Sequence, residues 1–341
     1  MSYLKYWTRP QQRLQKTFKQ TKVSEVLIKI PGKSDILRAS EIIQPYIHRT
    51  PVLTSETFNK LIGAELFFKC ENFQKAGAFK SRGAVYVVMS LSDAEAKKGV
   101  ATHSSGNHAQ ALARAASIRN IPAFIVMPSN SPQVKIDAVK QYSGHITFCK
   151  PTLKDREETL QKVIDNTKAF EVHPYDNFSI IAGQATAAKE LLEDVNNLDL
   201  ILCPVGGGGL LSGTALTTHY LSEKTEVIAC EPSGADDALR SFKTGKIIPS
   251  VNPETIADGL LTSLGKRNFP IIQQYVKDIV TVSESSIVAA MRLLFERMKI
   301  VVEPSAAVPF AALLENKVAA KTKRIGIILS GGNIDLKQLP F

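Results

Sequence analysis

The chain has 341 residues, 44% hydrophobic and 22% charged, ordinary values for one large or two medium α/β domains with a full core. No apolar run reaches the roughly 18 residues that cross a membrane, and the four cysteines (Cys70, Cys149, Cys203, Cys230) lack the C-x-x-C pairing of a zinc cluster, which suits a reducing cytoplasm. A formal charge of +10 suggests nucleic acid until it is located: residues 1–33 carry +7 of it, leaving +3 for the rest.

Residues 1–33 therefore read as a basic leader, with disorder left open, outside the chemistry. The stretch is acid-poor like a targeting peptide but sparse in serine and arginine. A dispensable tail or an early start codon would look the same. From Ser34 onward, short apolar runs alternate with helical patterns, which predicts mainly parallel sheet covered by helices. Strands are predicted at 65–70, 100–102, 123–127, 198–205, 227–231 and 324–329, with helices opening near 109 and 210. Each chemical motif follows the carboxyl end of a strand, where ligands gather in open α/β sheets.

Lys80 comes first, among small residues and beside Phe79 in Lys75-Ala76-Gly77-Ala78-Phe79-Lys80-Ser81-Arg82-Gly83. An amine that condenses with a carbonyl cofactor needs close backbone approach, an apolar wall and little water. Gly77 and Gly83 are expected to let the backbone fold tightly there. A surface lysine in a turn gives the same pattern. Ser104, Ser105, Gly106, Asn107 and His108 then offer hydroxyls, an amide and free N–H groups to a carboxylate. Capping of a helix by Ser105 or Asn107 uses the same groups, and His108 reads equally as a general base or a packing residue. Arg156 presents a fork that matches a carboxylate if it points inward; outward, it pairs with Asp155 or Glu157.

Gly206, Gly207, Gly208 and Gly209 follow an apolar strand and open a helix, a cradle for an anion. The loop lacks the G-K-[ST] of a nucleotide P-loop, and the first strand–helix unit lacks G-x-G-x-x-G, so phosphate on a small cofactor is the natural guest. Glu231 and Asp237, with the Ala235 carbonyl between them, offer hard oxygens suited to Mg²⁺, Mn²⁺ or Ca²⁺, or form a solvated acidic turn. Ser330-Gly331-Gly332-Asn333 closes the last strand.

In this order the four segments around Lys80, 104–108, 206–209 and 330–333 resemble the fold-type II pyridoxal-phosphate enzymes, which are tryptophan synthase β-like. The branch is that of serine racemase, serine/threonine dehydratase and threo-3-hydroxyaspartate ammonia-lyase, and the likeness runs from about Ile36 to Asp335. The resemblance implies two α/β domains, each with a mainly parallel sheet: a large one from 34–98 and 179–341, and a small insert at 99–178. It implies that Lys80 carries pyridoxal 5'-phosphate and removes the substrate α-proton, and that Asn107 touches the cofactor hydroxyl. It makes Ser105 a second base on the opposite face, Ser104 and Arg156 substrate contacts, and Glu231, Ala235 and Asp237 a divalent-metal site. Ser330 would bond the pyridine nitrogen without keeping it protonated, which suits β-elimination better than transamination.

His173-Pro174-Tyr175-Asp176 looks more like hydroxyaspartate dehydratases than animal serine racemases. Ala78 stands where many relatives have serine, and Ala76 where the nucleotide site of animal racemases has threonine. Lys75, Gln110, Tyr142 and Lys299 still match that site, so ATP activation stays open. The chain ends six residues after Asp335, so no C-terminal feedback domain is expected. The expectation is a homodimeric, cytoplasmic ammonia-lyase of L-threonine, L-serine or threo-3-hydroxyaspartate, without nucleic-acid or membrane partners. The alternative is a serine or aspartate racemase using Lys80 and Ser105. A β-replacement synthase would need a second-nucleophile site, which the sequence does not display.

Overall fold

The apolar runs assemble into two sheets in the computed structural model, which describes residues 26–341; most of the basic leader lies outside the described residues. The strands are β1 (Val52–Leu53), β2 (Glu65–Cys70), β3 (Val100–His103), β4 (Ala123–Pro128), β5 (His145–Cys149), β6 (Phe170–Glu171), β7 (Leu200–Pro204), β8 (Glu226–Pro232), β9 (Asp278–Val282) and β10 (Arg324–Leu329). Six form one sheet in the order β1-β2-β10-β7-β8-β9, and four form another in the order β5-β4-β3-β6. Every pairing is parallel except β1 with β2.

Central strands covered on both faces need apolar residues, and β7 throughout and β10 after Arg324 obey this. Their register sets Gly326 beside Ile201 and Ile327 beside Phe68. On one face of this sheet Phe68 of β2 clusters with Phe58 and Phe310, the ring centroids 4.6 to 5.9 Å apart.

Three helices behind the motifs pack with nearly touching backbones: Lys80–Ser90, Phe178–Asp194 and Gly209–Leu221. A Cβ on Gly183 would lie 2.5 Å from Gly83 Cα, and one on Gly213 would lie 2.6 Å from Ala185 N. One on Gly83 would meet Gln184 Nε2 at 2.6 Å, so this glycine lets the two helices pack closely. The tail of the leader is anchored: the Leu27 N–H donates to Ser179 Oγ at 2.8 Å, and the Tyr220 hydroxyl to the Pro31 carbonyl at 3.3 Å. No described helix is long and apolar enough to cross a membrane.

Candidate active site

After β2 the chain makes two 3₁₀ turns, Glu71–Phe73 and Lys75–Gly77, and then enters the Lys80–Ser90 helix. The end of β10 holds this entry, as the Phe79 N–H donates to the Ser330 carbonyl at 3.0 Å and the Gly332 N–H to the Gly77 carbonyl at 2.9 Å. Lys80 is thus fixed at the helix start, its Nζ 5.0 Å from the Phe79 ring centroid and donating to the Pro174 carbonyl at 2.9 Å. Burial pulls its ammonium down to about 8, opposed by the charge of Glu303. A lowered amine pKa enlarges the nucleophilic fraction near neutral pH.

The four glycines join β7 to the Gly209–Leu221 helix. Gly208 has φ +93°, where side chains other than glycine are strained, and a Cβ on Gly207 would meet the Tyr175 ring at 2.3 Å. Backbone N–H groups and a helix N-terminus meet there, and the Tyr175 ring packs directly against the loop where only glycine leaves it room. Opposite, the turn after β3 opens the Asn107–Arg119 helix. Its Ser104 N–H donates to the Val126 carbonyl at 3.0 Å, and the Gly106 N–H to Ser104 Oγ at 3.3 Å.

One cavity of about 260 Å³ joins these parts. Phe79, Lys80, Ser104, Ser105, Asn107, His108, Arg156, Gly206–209 and Ser330 all line it. Arg156 lines the cavity, and its buried Nε has no hydrogen-bond partner among the described residues. His108 is buried, with Nε2 3.0 Å from the Val172 carbonyl, which places its proton on Nε2. Burial, then the charge of Lys80, push it down to about 3, so it is a neutral hydrogen-bonding group.

The sequence reading passed over several wall residues. Glu303 precedes the Pro304–Leu314 helix and resembles an ordinary helix start. Lys135 and Asp258 form an ion pair on the wall, from segments 123 residues apart. His103, the last residue of β3, also faces the cavity; burial and then Arg156 lower its pKa. No short motif contains these residues, so only the fold reveals them.

Glu231 and Asp237 lie off the cavity, at the end of β8 and the start of the Asp237–Thr244 helix, with Ala235 in a 3₁₀ turn between. Glu231 accepts the N–H groups of Leu239 at 2.7 Å and Ala238 at 3.2 Å. Burial pushes Glu231 up to about 8 and Asp237 up to about 6. Asp237 Oδ2 is buried without a partner among the described residues, and no group of three or more His, Cys, Asp or Glu residues suited to a metal occurs among them.

A half-buried lysine at a helix start, a four-glycine loop on a helix N-terminus and a serine-rich turn, shared between two mainly parallel sheets, are the marks of a fold-type II cofactor enzyme. The chain belongs to the pyridoxal-phosphate dependent enzyme family, whose model matches residues 43–331. It is 52% identical over 312 residues to the β-hydroxyaspartate dehydratase of Paracoccus denitrificans, covering 92% of this chain and 99% of that one. It is 46% identical over 310 residues to the L-threo-3-hydroxyaspartate ammonia-lyase of Saccharomyces cerevisiae, covering 91% and 95%. The crystal structure of serine racemase from Dictyostelium discoideum superimposes with a TM-score of 0.86 at 49% identity, over 89% of this chain and 99% of that one.

Proposed function

We propose that the chain is an ammonia-lyase that removes water and then ammonia from a β-hydroxy amino acid, with threo-3-hydroxyaspartate as its preferred substrate and L-serine and L-threonine as poorer ones. The observation that carries this reading is the unpartnered Arg156 on the wall of the cavity that holds Lys80. A guanidinium on that wall with a buried, unpartnered Nε has a donor free for a second carboxylate, which serine and threonine lack. The relatives named for hydroxyaspartate chemistry support the same choice.

Pyridoxal phosphate, when bound, supplies the electron sink that makes the α-proton acidic. The residues fit it: Lys80 offers the amine, Gly206–209 the phosphate cradle, and buried Ser330 a hydroxyl for the ring nitrogen. Lys80 takes the α-proton, while the 104–107 turn holds the α-carboxylate and Arg156 the distal one. Loss of the β-hydroxyl as water, then hydrolytic release of ammonia, leaves a 2-oxo acid. Ser105 lines the same cavity and supports racemisation as a second activity, read as D-serine formed from L-serine.

Glu231, Asp237 and the Ala235 carbonyl form the proposed divalent-metal site, supported by the unpartnered Asp237 Oδ2. A homodimer, cytoplasmic residence and ATP activation at Lys75, Gln110, Tyr142 and Lys299 belong to the same proposal. Light scattering, cell fractionation and an ATP titration of rate check them. The deciding experiment measures 2-oxo acid release from the three substrates with Mg²⁺ or EDTA. Arg156→Gln is expected to lower kcat/KM for hydroxyaspartate by about 100-fold and for serine by less than about threefold, the scale of a lost charged hydrogen bond. Threonine preference indifferent to EDTA would sink both the acidic substrate and the metal.

A further inference from the structure

Asn107 is held from both sides. Its Nδ2 donates to Glu303 Oε1 at 2.8 Å and Oε2 at 3.0 Å, and its Oδ1 accepts Asn333 Nδ2 at 2.8 Å. Asn333 Nδ2 also donates to the Ala76 carbonyl at 2.8 Å, in the segment that leads to Lys80. Glu303 is 4% exposed and is clamped by β10: its N–H donates to the Gly331 carbonyl at 3.0 Å, and a Cβ on Gly331 would stand 2.5 Å from its Oε1. A Cβ on Gly77 would likewise stand 2.3 Å from Asn333 Oδ1. The glycines of two motifs thus leave room for one polar chain, Glu303–Asn107–Asn333–Ala76.

An asparagine amide has two orientations of nearly equal shape, with donor and acceptor exchanged. Turning Asn107 over would face its carbonyl oxygen toward a carboxylate and its NH₂ group toward another NH₂ group. Only one orientation survives, and because the two oxygens of one carboxylate subtend too narrow an angle at Nδ2 to take both hydrogens, they share one N–H and the other is left for the cavity that Asn107 lines. We propose that Glu303 is a positioning residue that fixes this orientation, so that Asn107 presents a donor to the ring oxygen of the cofactor. The proposal rests on the pyridoxal-phosphate reading and adds a residue to it. The groups facing Glu303 are Lys80 and Lys135, which favour its charged form, and Asp258, which opposes it. Burial outweighs them and raises Glu303 to about 7, so the hold on Asn107 is expected to weaken on the acid side of neutrality.

The test is a double-mutant cycle read by pyridoxal-phosphate affinity, from reconstitution, and by the visible absorbance band. Asn107→Ala and Glu303→Ala are each expected to weaken cofactor binding about 10-fold, and the double variant to be within about threefold of Asn107→Ala alone, because one residue acts through the other. Glu303→Gln keeps an acceptor for Asn107 but no charge. It is expected to restore affinity to within about threefold of wild type and to abolish the change of the wild-type band near neutral pH. Additive losses in the cycle, or identical band titrations for wild type and Glu303→Gln, overturn the proposal. The second comparison stands even if Glu303→Ala does not fold. A wild-type protein without a visible band removed by Lys80→Ala overturns the cofactor reading itself, and this inference with it.

Discussion

Arg82 has no exposed surface, yet it carries a charge two residues from Lys80. Its fork bonds Glu71 at 2.7 and 2.8 Å and Glu190 at 2.7 and 2.8 Å, and Lys69 Nζ closes the group on Glu190 at 2.7 Å. Two cations and two carboxylates leave it neutral, which is how charges survive burial. Arg82→Met strands two carboxylates against one lysine, and urea unfolding is expected to register a loss of about 3–5 kcal/mol. Lys80 makes a separate prediction. Its folded pKa of about 8 lies below the 10.5 of the free side chain, so the unfolded chain binds more protons between those values. The cofactor-free protein should therefore gain stability as pH rises from 8 to 10.5, a rise missing from the melting curve of Lys80→Met. At Gly331, an alanine would push against the carboxylate of Glu303, so Gly331→Ala should weaken cofactor binding much as Glu303→Ala does, at a helix content equal to wild type.

The helix from Lys80 and the helix from Gly209 never meet the cavity through the same residues, but the Phe178–Asp194 helix ties them together. Glycine contacts at 83, 183 and 213 set their spacing to within a methyl group. Gly183→Ala should cost about 1–3 kcal/mol by overpacking, measured by urea unfolding. Its effect on kcat should exceed that on a surface alanine substitution of equal stability cost, because the lysine and the glycine cradle move apart. At this scale the sequence was legible where a strand has a mostly apolar, mostly buried centre, as β2, β3, β4, β7, β8 and β10 have. β5 was not, since His145-Ile146-Thr147-Phe148-Cys149 lies at a sheet edge with three of its residues exposed. β1 and β6 have two residues each, too few for any periodicity.

Across the whole molecule, the motifs could be read because each is a short segment at a strand end. Glu303, Lys135 and Asp258 could not, because their partners are chosen by how the two sheets face each other. The Lys135–Asp258 ion pair joins the segment after β4 to the loop before β9, across the cavity wall. Asp258 is half exposed, so Asp258→Asn should raise KM up to about fivefold with kcat nearly constant, an effect that shrinks in high salt. The division of the cavity between sheets has a consequence for how this enzyme can change. Gly206–209 and Ser330 stand on the six-stranded sheet, whereas Ser104, Ser105 and Arg156 stand on or beside the four-stranded one. Under the proposed function, substitutions that retune the second set leave the first untouched, so a lineage can exchange one amino acid for another as its food without relearning how to hold its vitamin.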